Sequence, residues 1–309
     1  MERRWMAVGL VVIPLLALLW GCPGSTPARK PGPVRVVATI PPVAGLVRPL
    51  LPQGGTLTAL VPPNRSEHGY ELTGADVAAL TQADVVVLVG LGLEPQVEAF
   101  LEKHPTPNRH VIRFADVLGV SPGGPPAAET HEPSDEADHD DDGHHHSGVD
   151  PHLWLDPDLC RRFIPAIDRA IRAIDPSAPA DAAAKLDNQI AEFDEQSRAA
   201  LAPFKGKALV THHSAWARFA AHYGLTIAAV IRPIETVEET SGAVNAAIDT
   251  IQKQGIRVIF VEPQFSRKAA ERIRERTGVR IGELNPLGDG DWFTMMRANV
   301  AEVAQSLEP

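Results

Sequence analysis

The chain has 309 residues, 44% of them hydrophobic, and a formal net charge of −10. That length accommodates a leader and two folded units of ordinary size. The acidic balance excludes nucleic acid as a partner, since binding it needs a basic footprint.

Residues 1–22 place Arg3 and Arg4 before an apolar run over 7–20 and end in Gly21-Cys22. This pattern predicts a secretory signal peptide, too short and wrongly flanked for a stable membrane span. Leu19-Trp20-Gly21-Cys22 reads as a lipobox-like end, so Cys22 is expected to be acylated and to anchor the mature chain at a membrane in the periplasm or at the cell surface. Residues 23–33, rich in Pro and Gly, then form a flexible tether. Cys160 is the one thiol left and can make no internal disulfide; its apolar neighbours point to burial.

Strand-like runs at 34–40, 56–61, 83–89 and 109–114 alternate with helical spacing at 43–51, 74–82 and 95–104. Such alternation predicts a parallel sheet in an α/β lobe over 34–175. Within it, 121–148 loses globular composition: His131, His139, His144, His145 and His146 alternate with acids, among them Glu132, Asp138 and Asp142. With little to bury, this stretch is expected to be a disordered, solvated loop that collects metal at low affinity. A helix over 158–174 closes the lobe.

Residues 176–203 read as one long amphipathic connecting helix, with Leu186, Ile190 and Phe193 on one face. The alternation then resumes over 204–309. Strands are expected at 208–211, 226–231, 257–261 and 280–284, and helices at 216–223, 240–254, 267–277 and 292–307, with Gly224, Gly255 and Gly278 as C-terminal caps. The predicted fold class is α/β, two parallel-sheet lobes joined by one long rigid helix, with a binding cleft between them.

In α/β sheets ligands collect at the carboxyl ends of strands. His68 follows the strand ending near Val61, and His212 and His213 sit at the end of the strand expected at 208–211, just before the next helix. His152 follows the histidine loop, between two Asp-Pro turns. Three imidazoles from three segments match an open zinc sphere of three protein ligands and a fourth position. A hydrolase could use the same sphere, but neither a His-Glu-x-x-His element nor a nucleophile elbow is present. A receptor for a large siderophore or corrinoid would need aromatic or arginine-lined walls, and the chain has two tyrosines and five tryptophans.

Several motifs occur in order: Ser66-Glu67-His68-Gly69-Tyr70-Glu71-Leu72, Asp150-Pro151-His152-Leu153-Trp154-Leu155-Asp156-Pro157, His213-Ser214-Ala215-Trp216, Val261-Glu262-Pro263-Gln264-Phe265 and Leu284-Asn285-Pro286-Leu287-Gly288. From Val34 onward the chain thereby resembles the zinc/manganese substrate-binding proteins of bacterial ABC importers. The resemblance implies two α/β lobes on a rigid helix, Zn2+ as cargo, an ABC permease as partner and a monomer. It maps the metal ligands onto His68, His152 and His213, with His213 preferred to His212 because it precedes Ser-Ala-Trp.

Histidine at the third position, beside a histidine-rich loop, resembles the zinc-specific branch. Where the family usually offers an aspartate this chain has Asn285, which should bias the site away from manganese. The fourth position is expected to be filled by water, Asn285 or Glu67, while Glu262 orients a histidine. An adhesin or metal-storage role is compatible with the same site. Protons are expected to compete with metal near the ordinary imidazole pKa of about 6.5.

Overall fold

A computed structural model describes residues 32–63, 65–121, 149–232 and 240–308. The signal peptide, Cys22, most of the tether and the histidines of the acidic loop (His131, His139, His144, His145 and His146) lie outside the described residues. The first lobe is built from β1 (Arg35–Ala38), α1 (Pro41–Val47), β2 (Thr56–Ala59), α2 (Gly74–Gln82), β3 (Val85–Leu88), α3 (Pro95–Lys103), β4 (His110–Arg113), α4 (Phe114–Leu118) and α5 (Pro157–Ile174). Helix α6 (Ala182–Leu201) leads to the second lobe of β5 (Ala208–His213), α7 (Ala217–His222), β6 (Thr226–Arg232), α8 (Ser241–Gln254), β7 (Val258–Val261), α9 (Lys268–Thr277), β8 (Arg280–Glu283) and α10 (Trp292–Leu307).

Both sheets are parallel throughout, in the orders β2-β1-β3-β4 and β6-β5-β7-β8. The order therefore reverses direction once in each lobe, next to β1 and next to β5, and the ends of these strands are where a crevice opens. Parallel strands covered on both faces need no polar alternation, which is why Val85-Val86-Val87-Leu88 is buried at every position. The pleat sorts the side chains: Val85 and Val87 face a central core, Val86 and Leu88 an outer one against α2 and α3. In the second sheet Val258 and Phe260 face the same central core, while Ile259 and Val261 face α8 and α9.

That central core is continuous across the lobes. It includes Phe163 on α5, Phe193 on α6, Trp216 and Phe219 beside β5, and Trp292 on α10. Two indole hydrogen bonds tie it: Trp154 Nε1 donates to the Pro286 carbonyl at 2.7 Å, and Trp292 Nε1 donates to the Trp154 carbonyl at 2.9 Å. Gly45 lets α1 meet α10, for a β-carbon there would lie 2.7 Å from the backbone nitrogen of Trp292. Cys160 is fully buried, and burial pushes its thiol well above the usual range.

The two helix boundaries that depart furthest from the sequence expectation do so for local reasons. The connecting helix starts at Ala182 rather than 176, because the Asp175 carboxylate accepts from the Ser177 amide (3.0 Å) and hydroxyl (2.7 Å) and holds a turn there. The first helix ends at Val47 and continues only as a 3-10 turn over Arg48–Leu50, where Pro49 has no amide to donate. Among the described residues no helix is long and apolar enough to cross a membrane.

Candidate metal centre

Each of the three predicted histidines is placed by its own local device. His68 lies on the connection from β2 to α2, where Thr73 and Asp76 form a reciprocal capping box and the Tyr70 hydroxyl donates to Asp76 at 3.0 Å. His152 precedes a 3-10 turn over Leu153–Leu155; its backbone amide donates to Asp150 Oδ1 at 2.9 Å, and the same oxygen lies 2.7 Å from its Nδ1. His213 is the last residue of β5, at the reversal point of the second sheet.

The three rings converge. Their centroids are 5.4 Å (His68 to His152), 5.2 Å (His68 to His213) and 5.0 Å (His152 to His213) apart. One ring nitrogen from each lies within 4.8 Å of the others, and the side chains are at most 6% exposed. The Nε2 atoms of His68 and His152 are 3.4 Å apart.

Glu67 closes the cluster. Its Oε1 lies 3.6 Å from His152 Nε2 and 4.0 Å from His68 Nε2, buried and with no hydrogen-bond partner of ordinary geometry. Burial alone would raise its pKa, but His152 and the charge of the three imidazoles outweigh that and bring it down to about 2. For His152, burial favours the neutral ring, yet Asp150 and Glu67 overcome it and lift the pKa to about 9. A buried carboxylate and three inward-facing imidazoles form a donor set of three nitrogens and one oxygen, which suits tetrahedral zinc.

The other sequence candidates fall around this cluster. Glu262 Oε1 lies 3.4 Å from His213 Nδ1 and accepts from Trp216 Nε1 at 2.9 Å. His212 is fully buried and packs on Phe265, with ring centroids 5.2 Å apart, outside the triad. Asn285 Oδ1 accepts from Gln264 Nε2 (2.8 Å) and from the amides of Leu287 and Gly288 (3.1 Å each), so this oxygen already braces a turn. Asp150 is a functional residue that the sequence reading misses, although its Asp-x-His spacing is a usable signal.

A second group, Asp156, Asp158 and His222, also has ligand atoms close together. Here the chain supplies its own cation: Arg198 Nη2 lies 2.7 Å from His222 Nε2 and 3.6 Å from Asp158 Oδ2. His222 contacts Asp156 at 3.1 Å and Asp194 at 2.6 Å, and these acids, against the opposing effect of burial, lift its pKa to about 9. This is an ionic junction between α7, the start of α5 and α6.

The model of the family described as zinc-uptake complex component A, periplasmic, matches residues 36–306. Zinc-binding protein AdcA of Streptococcus pyogenes serotype M3 (strain ATCC BAA-595 / MGAS315) is 26% identical over 288 residues, covering 87% of this chain and 55% of its own. The chain thus spans about half the length of that relative. The high-affinity zinc uptake system protein ZnuA of Yersinia pestis is 27% identical over 272 residues, covering 82% of this chain and 83% of its own. A crystal structure of ZnuA superposes with a TM-score of 0.74 at 25% identity, covering 89% of this chain and all of the other.

Proposed function

We propose, given that this chain belongs to the periplasmic zinc-uptake component family, that it is an extracytoplasmic receptor that captures Zn2+ and delivers it to the membrane permease of an ABC importer. The observation that carries this reading is the convergence of three imidazoles with side chains at most 6% exposed, two from the first lobe and one from the second, beside the buried Glu67 carboxylate. In it His68, His152 and His213 are the ligands and Glu67 is the fourth. Asp150 and Glu262 hold the His152 and His213 rings in the orientation that binding needs.

Glu67 is favoured over Asn285 because its oxygen lies against the imidazoles while that of Asn285 is committed to three donors. The zinc is cargo, and the site is not catalytic. With Glu67 as the fourth ligand the sphere is closed by protein groups, whereas a catalytic zinc keeps one position open for water or substrate.

The same reading extends to an acylated Cys22 that anchors the chain, to a monomer, and to an acidic loop whose His131, His139, His144, His145 and His146 gather zinc weakly. Competitive titration with a chromophoric zinc chelator tests the central assignment: His68→Ala, His152→Ala and His213→Ala should each lose most of the tight affinity. Retention of that affinity in all three would remove the assignment.

A further inference from the structure

Arg218 has no part in the zinc-binding account above. It stands on α7, five residues beyond His213, with a side chain only 14% exposed. Its guanidinium reaches out of the second lobe to the segment that carries His152. Nε and Nη2 both donate to the Asp150 carbonyl, at 3.0 and 2.8 Å, and Nε lies 3.6 Å from Asp150 Oδ2.

Asp150 in turn spends Oδ1 on His152, 2.7 Å from the ring Nδ1 and 2.9 Å from the backbone amide. Its Oδ2 is buried with no hydrogen-bond partner of ordinary geometry. A continuous path therefore runs from α7 through Asp150 to the imidazole. The short element that begins just after one ligand, His213, grips the support of another ligand from the opposite lobe. The fork geometry matters, because a planar guanidinium can place two N–H groups on one acceptor and a lysine ammonium cannot do so with the same rigidity.

We propose that Arg218 is a positioning residue for metal capture: from the second lobe it fixes Asp150, and through Asp150 the ring of His152, at the separation from His213 that one zinc ion requires. This rests on the zinc-binding reading. It also makes a prediction of definite sign. A buried cation close to a divalent metal site opposes binding by simple electrostatics, so removing Arg218 should tighten zinc if charge were its whole effect. Positioning requires the opposite, since groups that orient metal-bound histidines typically contribute about 10- to 100-fold in affinity.

The test uses the full mature chain, with zinc affinity from chelator competition, the melting temperature without added metal, and the visible absorption of the cobalt(II) complex as a report on ligand geometry. Arg218→Met should weaken zinc about 10- to 100-fold and alter the cobalt spectrum; it should also lower the metal-free melting temperature, because the buried Asp150 oxygens lose their cation, and the altered cobalt spectrum is what a merely structural role would not produce. Arg218→Lys should fall between wild type and Arg218→Met. Combining Arg218→Met with Asp150→Asn should cost no more than Asp150→Asn alone, because both act on the same ring.

Zinc bound by Arg218→Met as tightly as wild type or tighter, or additive losses in the double variant, would overturn the proposal. Should Arg218→Met not fold, the Arg218→Lys affinity and cobalt spectrum decide, and wild-type values for both would overturn it. A wild-type chain that does not bind zinc tightly would instead overturn the zinc reading beneath it.

Discussion

The Nε2 atoms of His68 and His152 lie 3.4 Å apart, the edge that two nitrogens form on one tetrahedral zinc. With Zn–N bonds of about 2.0–2.1 Å that edge is about 3.3–3.4 Å. Zinc would therefore enter between these rings with little displacement of either, and what it must displace is a proton.

His152 holds its proton to a pKa of about 9 because Asp150 and Glu67 flank it against the effect of burial. Competition between zinc and protons thus extends well above the 6.5 expected for an ordinary imidazole. Affinity should climb by up to about tenfold per pH unit from neutrality towards pH 9. Calorimetry at neutral pH in buffers of different ionisation enthalpy should show close to one proton released per zinc. A flat affinity over that range would mean His152 is not a ligand.

His213 and His212 separate the metal site from the fold. His213→Ala should remove most of the tight zinc affinity. His212→Ala should leave most of it and lower the melting temperature instead, since His212 is fully buried against Phe265. Parallel measurement of affinity and melting temperature checks both, and a larger affinity loss in His212→Ala would show that the other ring faces the ion.

Glu67 and Asn285 divide in a similar way. Glu67→Gln replaces an anionic oxygen with a neutral one and should weaken zinc by about 10-fold or more. Asn285→Asp should leave the preference for zinc over manganese close to wild type, because its oxygen is already engaged by Gln264, Leu287 and Gly288. Competitive titration with both metals would expose a marked shift towards manganese, placing residue 285 at the ion.

Much of this architecture was legible in the residues. The unbroken valines of β3 announce a strand covered on both faces, and the strand-end positions of His68 and His213 follow from their runs and turns. Less legible was anything set by partners distant in the chain. The role of Asn285 depends on Gln264, 21 residues away, and on the amides that follow it. That of Arg218 depends on Asp150, 68 residues away, and no periodicity signals such a pair. The late start of α6 was visible only as a side-chain capture by Asp175, which helical spacing alone does not weigh.

His222 makes stability depend on pH. Its folded pKa, about 9, lies above the unfolded value near 6.5. The stability it contributes is therefore fully present below pH 6.5 and is lost as pH rises through 9, an effect of up to about 3 kcal/mol. His152 adds a component of the same sign. Without metal, wild-type stability should fall from pH 6.5 to 9, and His222→Gln should be less stable at pH 6.5 with a visibly smaller slope. Equal slopes in denaturant titrations of the two would refute the ionic junction between α7, α5 and α6.

X-ray absorption at the zinc edge reads the ligand set itself, on a chain carrying one equivalent of zinc and lacking residues 129–147, so that loop histidines cannot contribute. The spectrum should show a tightly held ion with three imidazole nitrogens and one oxygen at about 2.0–2.1 Å. Fewer than three imidazoles, a sulfur neighbour, or loss of the tight ion on removal of the loop would contradict that ligand set.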